Sequence, residues 1–407
     1  METNTLILGG GIGGLWLLYE LAKRDCDAIL LQHNRFGEHS SIGNHRWLHS
    51  GAYFAAYSMQ TVAEQCRDSS EKLRIFCQEN CKQAISPQWG ALLAFINQKE
   101  FERVMNAVTH FGVQPTALIG SELNIKEPAL NSDLLRFGLF IREELTFDAT
   151  AIVQALAGCC VNRGGAIYPS LKPLLSLSIK SIGGKWHVTD GRKTFVSEVL
   201  VCAAGALNPQ LLHQINGRTM PNKIESTCVA VFHEPLSKGL LLIDRKWMIS
   251  PLPGLSTASG HSDLKFIPEI GLDEISGDLE TNMTNYLRHG RECKVGSYTC
   301  HKLNNSDDPF NKSFPAREFG LRHYFWTEEQ EEGLFTFYPG LFTTAPISSQ
   351  RFANLLADRS RSHITTSREK SRLFSRLATA TLRNTPTHHA SHRSQIWEVS
   401  RLGGNKK

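Results

Sequence analysis

Three glycines near the start of the chain have the spacing of a dinucleotide-binding turn. Gly9, Gly11 and Gly14 form a G-x-G-x-x-G pattern, and Ile12 and Gly13 lie within it. In such a turn the first glycine allows the tight bend, the second lets the backbone approach a pyrophosphate, and the third lets the helix pack against the strand. The pyrophosphate then lies on the N–H groups at the positive end of that helix. The pattern predicts dinucleotide binding, and it does not choose between FAD and NAD(P).

The position expected to bind the adenosine ribose carries an amide and not an acid. Gln32, followed by His33, comes about 20 residues after the first glycine, where such sites usually place a carboxylate. A carboxamide can still accept and donate hydrogen bonds, although without the added strength of a charge. Because one such bond contributes only about 1 kcal/mol, we expect a dinucleotide to bind more loosely here, and not to be lost.

The glycine turn lies within one β-α-β unit. Leu6–Leu8 and Ala28–Leu31 are short apolar runs typical of strands, and Leu15–Lys23 between them has helical spacing. Similar patterns predict three further helices, over 58–80, 100–112 and 149–162. Strands are predicted at 90–96 and 166–169, and three more with glycine-containing turns within 174–206. Residues 333–359 are predicted to form a strand, a glycine turn and a helix.

The composition is that of a globular protein with two or three domains. The 407 residues are 41% hydrophobic and 20% charged, and the net charge of +5 lies mostly in the tail after residue 358. We therefore expect no nucleic-acid partner, and no apolar run is long enough for a membrane span. Ten scattered cysteines, without paired C-x-x-C motifs or a signal peptide, predict free thiols in the cytoplasm. We expect no metal site at the tail's histidines (His388, His389 and His392).

Four further segments, in the right order, resemble one superfamily of FAD-dependent oxidoreductases. It includes D-amino-acid oxidase, glycine oxidase, glycerol-3-phosphate dehydrogenase and L-2-hydroxyglutarate dehydrogenase. The segments are GEHSSIGNHRWLHSGAYF (37–54), the stretch from ELNIKEP to GGAIY (122–168), VLVCAAGALNPQLL (199–212), and GLRHYFW with GLFTFYPGLFTTAP (320–346). The resemblance covers most of residues 4–357, whereas 220–315 match only loosely. It implies that the dinucleotide is FAD.

The resemblance also implies which residues contact each part of FAD. The glycine turn would hold the pyrophosphate, and Gln32 would face the adenosine ribose. The remaining residues fall into three groups: along the pyrophosphate and flavin, Ser40, Ser41 and Asn44; beside the adenine half, Ala204 and Gly205; at the isoalloxazine end, Gly340, Leu341, Thr343 and Thr344. A helix N-terminus at the last group would stabilise the negative charge of reduced flavin.

Several residues are candidates for the reaction itself. His49, with His45 as a weaker alternative, has three open roles: a base or hydrogen-bond donor for the substrate, a covalent attachment to the flavin, or a packed structural residue. Arg322 resembles the arginine that pairs with a substrate carboxylate, and an ion pair between domains is its alternative role. Further pocket candidates are Tyr53, Tyr338, Arg46 and His323.

Together these features predict a two-domain α/β flavoprotein. A Rossmann-type FAD-binding domain, like that of glutathione reductase, would comprise residues 1–87, 148–215 and 318–358. A substrate domain with a mixed, mostly antiparallel sheet would comprise 88–147 and 216–317, followed by a basic tail over 359–407. The predicted reaction oxidises a C–N or C–OH bond of a small amino- or hydroxy-acid-like substrate by hydride transfer to flavin, with an unassigned electron acceptor. Two alternatives are a flavin-dependent monooxygenase and a degenerate flavoprotein that acts as a binding or scaffold subunit.

Overall fold

Helices and strands alternate in the first part of the chain, and strands dominate the middle. The computed structural model describes residues 1–57, 59–86, 90–218, 222–233, 236–244, 247–252, 255–260, 285–288, 294–305 and 326–361. Their helices are α1 (Ile12–Ala22), α2 (Ala52–Ala56), α3 (Gln60–Asn80), α4 (Gln98–His110), α5 (Ser121–Lys126), α6 (Ala149–Asn162), α7 (Asn208–Asn216) and α8 (Ala345–Arg361).

The strands fall into two large sheets and one small one. In chain order they are β1 (Glu2–Leu8), β2 (Ala28–Gln32), β3 (Trp47–Leu48), β4 (Ile85–Ser86), β5 (Ala91–Phe95), β6 (Thr116–Ile119), β7 (Phe137–Ile141), β8 (Leu145–Phe147), β9 (Ala166–Pro169), β10 (Ser178–Ile182), β11 (Lys185–Thr189), β12 (Thr194–Cys202), β13 (Asn222–Phe232), β14 (Leu240–Ile243), β15 (Trp247–Leu252), β16 (Leu255–Gly260), β17 (Lys294–Asn305), β18 (Trp326–Glu331) and β19 (Leu334–Tyr338).

The first large sheet has a parallel centre. Strands β19, β12, β1, β2 and β9 are parallel neighbours, in that order, and β10, β11 and β18 extend the sheet with antiparallel pairing. The last four residues of strand β1 are buried and the last three are apolar, as expected for a central strand covered on both faces. Helix α1 packs against α6 and α8 on this sheet and is buried along its whole length.

The second large sheet is mixed and mostly antiparallel. Its strand order is β17-β13-β16-β15-β14-β5-β7-β6, and only the β14–β5 pair is parallel. The small sheet joins β3, β8 and β4. The predicted fold class, a Rossmann-type sheet combined with a mixed and mostly antiparallel one, is confirmed. The predicted domain boundaries stay a prediction.

The predicted elements of the first part are also confirmed. The helix predicted over 100–112 is α4, which begins after Asn97, whose side chain accepts hydrogen bonds from the N–H groups of Lys99 and Glu100. Gly112, with φ of +90°, follows its end. No helix in the described part of the chain is long and apolar enough to cross a membrane. The basic tail beyond residue 361, with its histidines, lies outside the described residues.

Candidate functional site

The turn between β1 and α1 has no room for side chains at two of its glycines. A Cβ at Gly14 would lie 2.0 Å from the carbonyl oxygen of Gly9, and a Cβ at Gly9 would lie 2.7 Å from that of Ala203. Gly9 also has φ of +117°, in the left-handed region that favours glycine. Helix α1 therefore begins directly against the end of β1. Its first N–H groups, from Ile12 onward, have no partners within the helix, and such a terminus can bind a phosphate.

The loop after β2 lies over this turn. The Ser41 hydroxyl oxygen accepts a hydrogen bond from the Ile12 N–H at 3.0 Å. Asn44 fixes the loop, because its amide donates to the Ser41 carbonyl oxygen at 2.6 Å and its side-chain oxygen accepts from the Arg46 N–H at 2.6 Å. Ser40 precedes Ser41 in the same loop. The predicted residues of this segment and those of the glycine turn are thus brought together.

The Gln32 side chain folds back onto the glycine turn. Its oxygen accepts a hydrogen bond from the Gly10 N–H, and its amide donates to the carbonyl oxygens of His33 and, at 3.0 Å, Arg35. The His33 imidazole lies with Nδ1 3.0 Å from the Ser170 carbonyl oxygen. Gln32 therefore stabilises the loop backbone. The contact of Gln32 with the adenosine ribose stays a prediction. It would use the second lone pair of the side-chain oxygen that accepts from the Gly10 N–H.

The carboxyl ends of β12 and β19 are tied together beside the glycine turn. The Ala204 N–H donates to the side-chain oxygen of Asn208 at 2.7 Å, and the Asn208 amide donates to the Phe337 carbonyl oxygen at 3.1 Å. Gly205 follows with φ of +60°. Ligands of doubly wound sheets bind outside the carboxyl ends of the strands, which is where these residues lie.

The turn between β19 and α8 links the glycine turn to the segment of His49. A Cβ at Gly13 would lie 2.8 Å from the Pro339 ring, so the two turns are in close contact. The Thr344 hydroxyl donates to the Pro339 carbonyl oxygen at 2.6 Å and accepts from the Leu341 N–H at 3.2 Å. Gly340 has φ of +78° and allows this tight turn.

Thr343, in the turn between β19 and α8, connects this turn to the segment of His49. Its hydroxyl accepts a hydrogen bond from the His49 N–H at 3.2 Å and donates to the Trp47 carbonyl oxygen at 3.4 Å. The predicted isoalloxazine-end residues and the predicted reactive histidine therefore lie side by side. Tyr338, at the end of β19, and Tyr53, in α2, are both buried.

His49 lies beside a buried carboxylate, Glu144, that the sequence patterns do not predict. Glu144 is 0% exposed and accepts hydrogen bonds from the Trp47 indole N–H, from the Ser50 hydroxyl at 2.8 Å, and from the Tyr53 backbone N–H at 3.2 Å. Nδ1 of His49 lies 3.5 Å from Oε2 of Glu144. The His49 ring stacks on Trp47, with ring centroids 4.7 Å apart.

The signal for Glu144 lies in strand pairing and not in its local sequence. Leu48 of β3 pairs with Leu145 of β8, so the residue before β8 comes next to the residue after β3. The string "REEL" at 142–145 reads as a polar turn, and the adjacent Glu143 is not fully buried. Only the register of two very short strands distinguishes the two glutamates.

Of the two arginines that are pocket candidates, Arg46 lies within the described residues. It has φ of +57°, is only 4% exposed, and its Nε is buried without a hydrogen-bond partner among the described atoms. Because a buried N–H group without a partner is costly, an anion that accepts a hydrogen bond from Nε would be stabilised. Arg322 and His323 lie outside the described residues, and their roles stay predictions.

The fold and the glycine turn define a dinucleotide-binding α/β protein with a second, mixed sheet. A family described as FAD dependent oxidoreductase (DAO) matches residues 4–263. The chain belongs to this family: it is an FAD-dependent oxidoreductase, and its cofactor is FAD. The glycine turn has no room for a Cβ at Gly9 or Gly14, and the N-terminus of α1 lies beside it. This arrangement fits the pyrophosphate of that cofactor.

Similar proteins are known by sequence and by structure. One subunit of the anaerobic glycerol-3-phosphate dehydrogenase of Haemophilus influenzae is 26% identical over 140 residues, which are 33% of this chain and only 23% of that relative. Glycine oxidase from Geobacillus kaustophilus has a similar fold, with a TM-score of 0.69 and 18% identity over 88% of this chain and 95% of that one. L-α-glycerophosphate oxidase from Mycoplasma pneumoniae, solved with FAD bound, has a TM-score of 0.65 and 15% identity over 88% of this chain and 95% of that one.

Proposed function

We propose that this protein oxidises a C–N or C–OH bond of a small anionic substrate. FAD supplies a hydride acceptor for such a reaction when it is bound. The observation that carries the proposal is the hydrogen bond from the His49 N–H to Thr343, because it joins the candidate base to the turn that we assign to the isoalloxazine end. The substrate class is supported by the similar structures, which are named as oxidases of glycine, glycerophosphate and iminodiacetate.

His49 is the proposed base of this reaction. Its ring is only 12% exposed, and Trp47, Tyr53 and Phe54 surround it. A base in such a position takes the proton of the substrate hydroxyl or ammonium group while the neighbouring C–H bond breaks. Excluding water around the ring also protects the transfer from side reactions.

Two arginines are proposed to hold the anionic group of the substrate. Arg322 is the proposed carboxylate partner, since a guanidinium can bind both oxygens at once and fix the neighbouring carbon. Arg46 adds a second, buried cation in the loop that leads to His49. The remaining predicted contacts of the two turns, Gln32, Ala204 and Gly205 included, are proposed to hold FAD. The eight cysteines of the described residues all have free thiols, which supports the proposal of a cytoplasmic location.

The test is turnover with a panel of small acids, followed with a dye that accepts electrons from reduced flavin. The panel contains glycine, L-proline, iminodiacetate, glycerol 3-phosphate and 2-hydroxy acids, each with and without NADPH. We expect at least one compound to reduce the dye without NADPH. A strict requirement for NADPH would contradict the proposal, because it is typical of a monooxygenase.

The His49→Gln variant tests the proposed base. We expect turnover to fall by about 100- to 10,000-fold, the usual contribution of a general base. His110→Gln is the matched control, since His110 is an exposed histidine at the end of α4, and it should turn over like the wild type. A His49→Gln protein with full turnover would exclude His49 as the base.

A further inference from the structure

We propose that Glu144 is a positioning residue that fixes the ring of His49, with a proton on Nδ1 and with Nε2 left for the substrate. The contact geometry stands on its own, and only the consequence for turnover rests on the proposed function. The hydrogen bonds of Glu144 go to the segment around His49, and its effect on the reaction passes through that histidine.

The hydrogen bonds around Glu144 suit a charged carboxylate. An indole N–H and a backbone N–H can only donate, and these groups of Trp47 and Tyr53 both point at Glu144 oxygens. The Ser50 hydroxyl donates as well, at 2.8 Å. A carboxylate accepts at about four sites, so three donors leave one site open, on the oxygen nearest His49. If Glu144 were protonated, its own O–H hydrogen would have to lie among these three donors.

Among the described residues, His49 is the one basic side chain that pairs with this carboxylate. Its Nδ1 is 3.5 Å from Oε2, and no lysine or arginine of the described ranges forms an ion pair with Glu144. That Nδ1 is buried and makes no hydrogen bond within the usual limits to the described atoms, and the Glu144 oxygen at 3.5 Å can accept a proton carried on it. The stacking of the ring on Trp47 limits its other orientations.

Other titratable groups pack around the pair. From α3, the Cys66 thiol faces Glu144, and its burial and that negative charge raise the pKa of the thiol. From α2, Tyr53 lies 5.6 Å from His49 between ring centroids. From the turn before β8, Glu143 accepts a hydrogen bond at its carbonyl oxygen from Arg74 of α3 at 2.8 Å. Cys66 stays neutral at physiological pH, so Glu144 is the group that balances a positive charge on His49.

This arrangement defines what each nitrogen does in the proposed reaction. The substrate O–H or N–H bond breaks and its proton bonds to Nε2 of His49. The adjacent C–H bond breaks, its hydride passes to FAD, and a C=O or C=N bond forms. The imidazolium that results carries its positive charge next to Glu144. A buried carboxylate that orients an imidazole and stabilises its charged form is an established way to strengthen a histidine base.

The tautomer of His49 is measured by two-bond ¹H–¹⁵N correlation spectra of the holoprotein labelled with [¹⁵N]histidine. His49→Gln identifies the signal by its loss. We expect the neutral ring to carry its proton on Nδ1 in the wild type and in Glu143→Gln, and the pattern to change in Glu144→Gln. Glu143 is the matched control because it is the neighbouring glutamate in the same turn. A wild-type proton on Nε2, or an unchanged pattern in Glu144→Gln, would overturn the proposal.

The second measurement is a double-mutant cycle on flavin reduction by the fastest compound of the panel. We expect Glu144→Gln to lower the reduction rate by about 10- to 1,000-fold in the wild-type background, part of what a general base contributes. In the His49→Gln background the same change should lower it by less than about twofold, because residues that act as a unit are not additive. Equal losses in both backgrounds would assign Glu144 a structural role only.

The outcomes separate this proposal from the proposed function. If His49→Gln loses turnover but Glu144→Gln behaves like Glu143→Gln, the proposal fails and the function stands. If His49→Gln keeps full turnover, His49 is excluded as the base, and the tautomer measurement still decides the geometry. Should Glu144→Gln not fold, Ser50→Ala removes one donor without changing the charge. It should leave the Nδ1 proton in place and lower turnover less than His49→Gln does, whereas loss of that proton would count against the proposal.

Discussion

Replacing Gly14 by alanine should separate α1 from the end of β1. The added Cβ would lie 2.0 Å from the Gly9 carbonyl oxygen, and that oxygen belongs to backbone that cannot rotate away. Reaching a tolerable contact requires a shift of about 1 Å between the helix terminus and the strand. Overpacking of this kind costs about 1–3 kcal/mol. Because the displaced N–H groups are those expected to hold the pyrophosphate, we expect FAD affinity to fall by up to about a hundredfold, the equivalent of about 3 kcal/mol.

The assay is the FAD content of the purified protein, read from its visible absorbance and from FAD released on denaturation, together with the Tm of the apoprotein. Gly158→Ala is the matched control. Gly158 lies within α6, and an added Cβ meets nothing within 4 Å. That variant should bind FAD normally and be stabilised by about 0.5–1 kcal/mol, the usual gain of alanine over glycine in a helix. Wild-type FAD content and Tm in Gly14→Ala would show that the turn accommodates the added Cβ, contrary to this prediction.

Two further predictions concern Gln32 and Cys202. Gln32→Glu restores the usual acid but places an oxygen where the amide now donates to two carbonyl oxygens, so we expect a lower Tm; a higher Tm with tighter FAD binding would contradict the observed orientation. Burial raises the pKa of Cys202 from its ordinary value near 9 to about 12. The thiol therefore stays protonated in the folded chain and ionises in the unfolded chain, so its contribution is complete below pH 9 and is lost as the pH rises to 12. Cys202 alone should lower the free energy of unfolding by about 1.4 kcal/mol per pH unit in that window, and urea unfolding of Cys202→Ala should lack that part of the slope.

The glycine turn could be predicted because its physics is local. Only glycine tolerates φ of +117° together with a neighbouring carbonyl oxygen where a side chain would begin, as at Gly9, and the apolar runs on either side mark the strand and the helix. The start of helix α6 is also set by neighbouring residues. The Asp148 side chain accepts hydrogen bonds from the N–H groups of Thr150 and Ala151, and the helix begins directly after it.

Glu144 could not be predicted, because its burial depends on pairing between strands far apart in the sequence. A glutamate in a polar turn is normally solvated, and nothing in its neighbours marks one of two adjacent glutamates for the interior. The orientation of the Gln32 side chain could not be predicted either. Its position in the sequence indicates a ribose contact, whereas the orientation of its amide depends on the loop that follows β2.

We propose that this chain holds FAD and that FAD accepts a hydride from a small anionic substrate. Anaerobic titration of the purified holoprotein with the fastest compound of the panel is the direct test of this reaction. We predict that about one equivalent of substrate per FAD bleaches the visible absorbance of the flavin without NADPH, and that the product carries a new C=O or C=N bond. A purified protein without FAD, or a flavin that only NADPH can reduce, would contradict the proposed reaction.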